Sequence, residues 1–346
     1  MKTAARTRRD LLRGVGALAG TAALSPRFAI AQSKAEVDEV VLAPQYGIAY
    51  LPLHIIREQR LLEKHLAKNG LPNTKVAWAQ TTGGATANDA LISGTMHVVG
   101  GGVGPMLTIW DKTRGNIGVR GICSFDSTNL YLNTINPAVK TIKDFGENDR
   151  IAMPAVKISI QAVTLQMAAE KIFGEGKHDA LDRLTVSMSH PDGTAALLSG
   201  KSEITGHFTS PPFQFQQLED KRVHKVLSNF EVLGGPVTFN SPYATARFRN
   251  ENPRTYKAVF DSLVEAQEFI QKNRSEAIRI YIEVEKSKLA PDFIAQMMDT
   301  PDIKHTMVPQ NTIKYAHFMH KVGMLRTRAE SFKDYYFPDV HDLAGS

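Results

Sequence analysis

The 346-residue chain contains a single cysteine, Cys123. No intramolecular disulfide can form, so the fold must stand on buried apolar surface, and a buried structural thiol is the expected role of that residue. No apolar run approaches the roughly 18 residues that a membrane-spanning helix needs. Low-complexity tracts are missing. Gly100-Gly101-Gly102-Val103-Gly104 is followed by no Lys-Ser or Lys-Thr pair, so it is not a nucleotide P-loop. Gly-x-Ser-x-Gly is missing too, which leaves a hydrolase nucleophile elbow without support. His317 and His320 stand three apart, but no cysteine or acid at a partnering step joins them, and no metal site is expected.

What is present begins with a basic stretch. Lys2, Arg6, Arg8, Arg9 and Arg13 precede a small-residue apolar segment, Gly14 to Leu24, and Ala29-Ile30-Ala31 supplies the small residues a signal peptidase reads. Thr7-Arg8-Arg9-Asp10-Leu11-Leu12-Arg13 resembles a twin-arginine export signal, the alternative being a general secretory signal with clustered arginines. Residues 1–31 are therefore expected to be a leader. Cys123 is far from the cleavage point, where a lipid anchor would need it, so a lipid-free protein in the periplasm is expected. The leader holds six bases and one acid; removing them from 41 bases and 35 acids leaves 35 against 34. The basic isoelectric point belongs to the leader, and nothing in the remainder points to nucleic acid.

The rest reads as alternating strands and helices, with 42% apolar and 22% charged residues. Val37 to Leu42, Val76 to Ala79 and His97 to Val99 read as strands. Helices are expected over Pro52 to Leu66, Ala85 to Ser93 and Met106 to Lys112, with Gly100 to Pro105 a turn. A second series has strands at Arg150 to Met153, Leu184 to Met188 and Ile204 to Gly206, and helices at Ile160 to Phe173 and Gly193 to Leu198. His207 to Pro212 reads as the loop that follows. Leu233 to Phe239 reads as a returning strand, and the chain beyond Asn252 as helices with no strand between them. Strand, glycine-rich turn and helix in succession predict βα units on parallel sheets.

The two series repeat. Ala90-Leu91-Ile92-Ser93-Gly94 matches Ala196-Leu197-Leu198-Ser199-Gly200, Gly100 matches Gly206, and Pro105 matches Pro211, each pair 106 residues apart. Register held over sixteen positions predicts two similarly built lobes: 36–130 with 240–346, and 131–239.

Several motifs in this order resemble the nitrate/sulfonate/taurine class of ABC-importer substrate-binding proteins. They are Gly47-Ile48-Ala49-Tyr50-Leu51-Pro52 with Glu58 to Glu63, Gly83-Gly84 with Ala90 to Gly94, and Gly104-Pro105. Ile142 to Phe145 with Arg150 to Pro154, Ala195 to Gly200, and His317 to Met319 with Lys321 to Gly323 complete the set. The resemblance implies an α/β, bilobal type II periplasmic-binding fold: two parallel-core mixed sheets flanked by helices, with a hinge between lobes. It also implies a non-enzymatic carrier without cofactor, monomeric, partnered by an inner-membrane ABC permease and its ATPase. Val156-Lys157-Ile158 is bulkier than the small-residue turn usual there, which bears on the ligand. A thiamine-pyrimidine-precursor binder or synthase-like protein is the alternative, but the synthases carry a cysteine cluster that this chain lacks. Regulators on this fold carry a helix-turn-helix domain, and ahead of Val37 the leader is read instead.

The expected ligand is a small anion: a sulfonate, taurine, nitrate or a carboxylate. Strand tips in parallel α/β sheets present unpaired N–H groups at the next helix N-terminus, where an anion is stabilised. The candidates are Gln45 and Tyr46 after the first strand, Thr82 and Gly83 at the next helix, and Val103 and Gly104 after the third strand. From the other lobe come Lys157 and Ser159, and then His207, Phe208 and Thr209. Ser159 is also a natural N-cap.

Overall fold

Strands of three to six residues, most of them followed by a helix that buries one face, build the protein. The computed structural model describes residues 35–346, and Glu36–Ser346 form one compact unit. The leader read over residues 1–31 lies outside the described residues. The first series runs β1 (Glu39–Ala43), α1 (Leu51–Glu58), α2 (Leu61–Lys68), β2 (Lys75–Trp78), α3 (Gly84–Ser93), β3 (Val98–Gly102), α4 (Val103–Thr113) and β4 (Val119–Gly121). The chain crosses through β5 (Asp126–Thr128) into β6 (Tyr131–Thr134), β7 (Ile151–Met153), α5 (Ile160–Phe173), β8 (Thr185–Ser187), α6 (His190–Ser199), β9 (Gly206–Thr209), α7 (Phe213–Leu218), β10 (His224–Ser228) and α8 (Asn229–Leu233). It returns as β11 (Asn240–Thr245), followed by α9 (Ala246–Glu251), α10 (Pro253–Lys272), α11 (Arg274–Glu285), α12 (Pro291–Asp299), β12 (Ile303–His305) and α13 (Thr312–Lys321).

Two five-stranded sheets result, in the orders β2-β1-β3-β11-β4 and β8-β7-β9-β6-β10. Within the first, β1 pairs parallel with β2 and β3, and β11 runs antiparallel to β3 and β4. Within the second, β7 pairs parallel with β8 and β9, and β6 runs antiparallel to β9 and β10. In each sheet the antiparallel member beside the parallel core is the strand that enters just after the chain has crossed over. The 106-residue repeat has a structural counterpart: α3 and α6 start and end 106 residues apart.

Five local expectations are corrected. Gly100, Gly101 and Gly102 are not a turn but the second half of β3, paired with β11 from Pro242↔Gly100 to Asn240↔Gly102. Rings from elsewhere occupy the space their side chains would take: a Cβ on Gly100 would stand 2.8 Å from Tyr50, and one on Gly101 would stand 2.9 Å from the Tyr243 hydroxyl. His207, Phe208 and Thr209 belong to β9 rather than to a loop. The returning strand starts at Asn240, after the Leu233-to-Phe239 stretch read for it. The C-terminal helices are interrupted by β12, which pairs antiparallel with β5. One helix was read over Pro52 to Leu66, but it is two, because Arg60 adopts a left-handed conformation at φ 49°.

Cys123 is buried, and burial raises its thiol pKa, with nearby Asp339 adding to the shift. Ellman's reagent is therefore expected to leave the native protein unmodified for hours and to titrate one thiol in denaturant. Rapid reaction of the native protein would contradict this packing.

Candidate functional site

The two sheets face each other across a cavity of about 20 Å³. Gln45, Tyr50, Gly84, Gly102 and Pro105 line it from the first series. Pro154, Ser159, Ile160, Gln161 and His190 line it from the second, and Phe239 and Asn240 from the returning segment. The helices α3, α4, α5 and α6 all begin here, since Gly84, Gly102, Ser159 and His190 are at or next to their first residues. Neither α3 nor α4 has a side-chain cap; on α4 the Val103 N–H is taken by Phe239 O and Pro105 has none, so the leading N–H groups of α3, that of Gly104 and the two helix dipoles make the cavity electropositive without a charged side chain. The two helices opposite are capped: Ser159 Oγ accepts from Ala162 N at 3.2 Å, and Ser189 Oγ accepts from Asp192 N at 3.3 Å.

The rims around the cavity meet backbone to backbone. A Cβ on Gly83 would lie 2.9 Å from Pro154 O, and one on Gly104 would lie 2.6 Å from Ile158 O. Beside them Ile48 N–H donates to Pro211 O at 3.3 Å, next to Gly47 at φ 114°, a conformation that suits glycine. Thr164 Oγ1 and Tyr315 Oη share a hydrogen bond of 2.9 Å between α5 and α13. The crossing segments are braced by side-chain amides: Asn229 Oδ1 accepts from Leu130 N at 2.7 Å, and Gln214 Nε2 donates to Asn129 O at 2.8 Å.

Of the eleven residues expected from the sequence, Gln45 and Ser159 line the cavity. Gln45 Nε2 donates to Gly100 O at 2.9 Å, and Ser159 is also the cap of α5. Gly83 and Gly104 sit on the meeting rims. Val103 is buried and donates its N–H to Phe239 O. Tyr46 is half-buried, and Tyr50 supplies the aromatic wall in its place. Thr82 and Lys157 are exposed, Lys157 at φ 67°, so the expected cation does not line the cavity. Phe208 is core.

The histidine reading shifts from His207 to His190. His207 is fully buried; its Nδ1 accepts from Gln217 Nε2 at 2.7 Å, which puts the proton of the neutral ring on Nε2, aimed at Gly193. Thr209 is buried as well and bonds His190 Nδ1 at 2.8 Å, and His190 is the ring that reaches the cavity, stacked on Phe213. Burial pushes the His190 imidazole down to about 3. His207 lies well below its usual range through burial and, secondarily, through His190. Both rings are neutral at pH 7. The repeat carries a signal for His190, since it stands 106 residues after Gly84. Asn240 and Gln161 had no sequence signal. His317 and His320 each bond a backbone carbonyl, of Ala329 and Leu325.

Two mixed sheets of this order, joined at crossing segments and facing each other across a ring of helix N-termini, define the bilobal type II periplasmic-binding-protein fold. The alkanesulfonate-binding protein SsuA of Xanthomonas axonopodis pv. citri, bound to MOPS, is similar at a TM-score of 0.66 and 17% identity, over 85% of this chain and 96% of that one. The periplasmic nitrate-binding protein NrtA of Synechocystis PCC 6803 gives 0.63 and 14%, over 84% and 83%. A ligand-binding component of an ABC-type import system from Staphylococcus aureus, with zinc bound, gives 0.64 and 14%, over 89% and 99%. At these identities the likeness is one of fold. No protein-family model matches the sequence, and no curated protein matches it. Among the described residues no helix is long and apolar enough to cross a membrane.

Proposed function

We propose that the protein is the periplasmic solute-binding component of an ABC importer, exported by its twin-arginine leader. It captures a small solute between two lobes, 36–130 with 240–346 and 131–239, that close about the crossing segments. The observation that carries this reading is the convergence of four helix N-termini, two from each series, on one cavity whose rims meet backbone to backbone. Such a site binds without chemistry, and a monomer in that closed form is what a permease and its ATPase would receive. The acid group of a sulfonate, taurine, nitrate or carboxylate suits the N–H groups of α3 and α4. A neutral heterocycle of the pyrimidine class is a second reading. It is favoured by one feature: among the described lining residues none is lysine or arginine.

The cavity as it stands has room for about one water molecule, so capture requires the lobes to part and reclose. Thermal-shift measurements on the purified protein against sulfonates, carboxylates, nitrate and pyrimidines test the reading. A true ligand at 100 times its Kd should add about 2.7 kcal/mol of stability. Turnover of any of these compounds by the pure protein would overturn the carrier role.

A further inference from the structure

The cavity wall carries an amide that nothing in the protein satisfies. Asn240, the first residue of β11, is fully buried and lines the cavity, and neither its Oδ1 nor its Nδ2 has a hydrogen-bond partner. Gln161, facing the cavity from α5, is 1% exposed, and its Nε2 is also unpartnered. Buried amides without partners are costly, so three such atoms around one cavity mark groups built to pair with something placed there. Asn240 requires partners of both kinds, a donor for its oxygen and an acceptor for its nitrogen, whichever way the amide is turned.

Near Asn240, outside the cavity lining, lies one further buried carboxyl group. Asp126 is fully buried, and its carboxyl oxygens make no well-formed hydrogen bond; the Thr128 hydroxyl and the N–H groups of Asn240 and Phe239 are the donors that face them. A bare oxyanion offers acceptors only. It would pair with the helix N-termini, with Gln161 and with Asn240 Nδ2, and leave Asn240 Oδ1 buried and unmatched.

We propose that Asn240 is the specificity-determining residue of the cleft, and that the solute it selects carries a hydrogen-bond donor, an N–H or O–H, beside its acceptor group. The inference rests on the solute-capture reading of the same cavity. Nitrate and unsubstituted alkanesulfonates are then poor ligands, whereas a hydroxy or amino acid, or an aminated heterocycle, completes the site. A pocket built to bond a donor rejects the analogue that lacks it far more strongly than a pocket rejects a change of one methylene.

Calorimetric titration of the full chain with matched pairs tests this: isethionate against 1-propanesulfonate, 3-hydroxypropionate against butyrate, and 4-aminopyrimidine against 4-methylpyrimidine. Each pair exchanges a donor for a methyl group of similar size. In at least one pair the donor-bearing member should bind about tenfold or more tightly. Asn240→Leu should bring that ratio close to one, while Gln161→Leu should weaken both members and preserve it. If Asn240→Leu does not fold, Asn240→Asp, which keeps the acceptor and loses the donor, should retain the preference. Equal binding within every pair, a ratio unchanged in Asn240→Leu, or no binding by any donor-bearing probe overturns the inference. If methyl-bearing members bind at least as tightly as their donor-bearing partners and stabilise the protein, solute capture survives and only this inference falls. If no compound of any pair binds, both fall.

Discussion

Gly104→Ala is expected to abolish tight solute capture while leaving the protein folded. The added Cβ would lie 2.6 Å from Ile158 O, 3.3 Å from Ile160 N and 3.4 Å from Ser159 C, all backbone atoms. Those atoms cannot swing aside as a side chain would. Ile158 N donates to Val156 O at 2.8 Å and Ser159 N to Ala155 O at 3.1 Å, which fixes the turn ahead of α5. Closure would therefore halt short of the spacing seen here, and water would remain among the N–H groups meant to bind the solute. In the open form nothing opposes the methyl group, and alanine within α4 is favoured over glycine by roughly 0.5–1 kcal/mol. The ligand-free melting temperature should thus hold or rise, while Kd weakens by about 100-fold or more, some 2.7 kcal/mol. Gly83→Ala should act in the same direction through Pro154 O, 2.9 Å away. Small-angle scattering with and without ligand checks closure, and calorimetry checks affinity. A Gly104→Ala protein that binds within twofold of the parent would refute the assignment of these rims as closing faces.

Acidification from pH 7 to pH 4 is expected to destabilise the protein. His54 and His190 are buried, and burial holds each imidazole at about 3; His207 is pushed well below its usual range for the same reason. In the unfolded chain each titrates near 6.5. Below that value the unfolded state binds protons that the native state refuses, so stability falls with pH through the window between 6.5 and the folded values. At pH 4 a histidine held at 3 in the fold has forfeited about 3 kcal/mol. His54 and His190 together forfeit about 6 kcal/mol, and His207 adds in the same direction, against the roughly 5–15 kcal/mol that holds a typical domain folded. Two buried carboxyl groups oppose this loss across much of the same window. Burial raises the Asp126 carboxyl to about 8 and that of Glu285, 3.3 Å from His54, to about 7. Each favours the fold fully only below its unfolded value, and that contribution is lost as pH rises through the folded one. Urea melts across pH 4 to 9 should trace a stability curve that falls on the acid side. His207→Gln should flatten the acid limb, whereas Asp126→Asn should steepen it, because Asp126 gains stability for the fold as pH falls from about 8 to 4. Identical acid limbs in the parent and in His207→Gln would show that this ring does not stay neutral in the fold.

The sequence carried the architecture because architecture is local and periodic. The Ile160-to-Phe173 helix was legible to the residue: Ser159 caps it, and Gly174 follows it at φ 105°. The α3/α6 repeat was legible because each helix ends at a glycine in the left-handed conformation, Gly94 and Gly200. β3 was not legible past Val99. Three glycines in a row have no strand propensity of their own, and they are strand only because β11 pairs with them and rings from elsewhere cover them. The choice of His207 over His190 failed for a related reason. Whether a ring faces the core or the cavity depends on Gln217 and Gly193, which reach it only after the chain has folded.

The chain's own residues thus determined two α/β series, the repeat that relates α3 to α6, and most of the helix N-termini that meet at the cavity. Tertiary structure alone decided which glycines met backbone across the cavity rim, which histidine reached the cavity, and that an unpaired asparagine would stand on its wall. The physical reason is range. Propensity, capping and hydrophobic period act over a few residues, whereas a 2.6 Å approach between Gly104 and Ile158, or an orphaned amide at Asn240, exists only where distant segments are brought together.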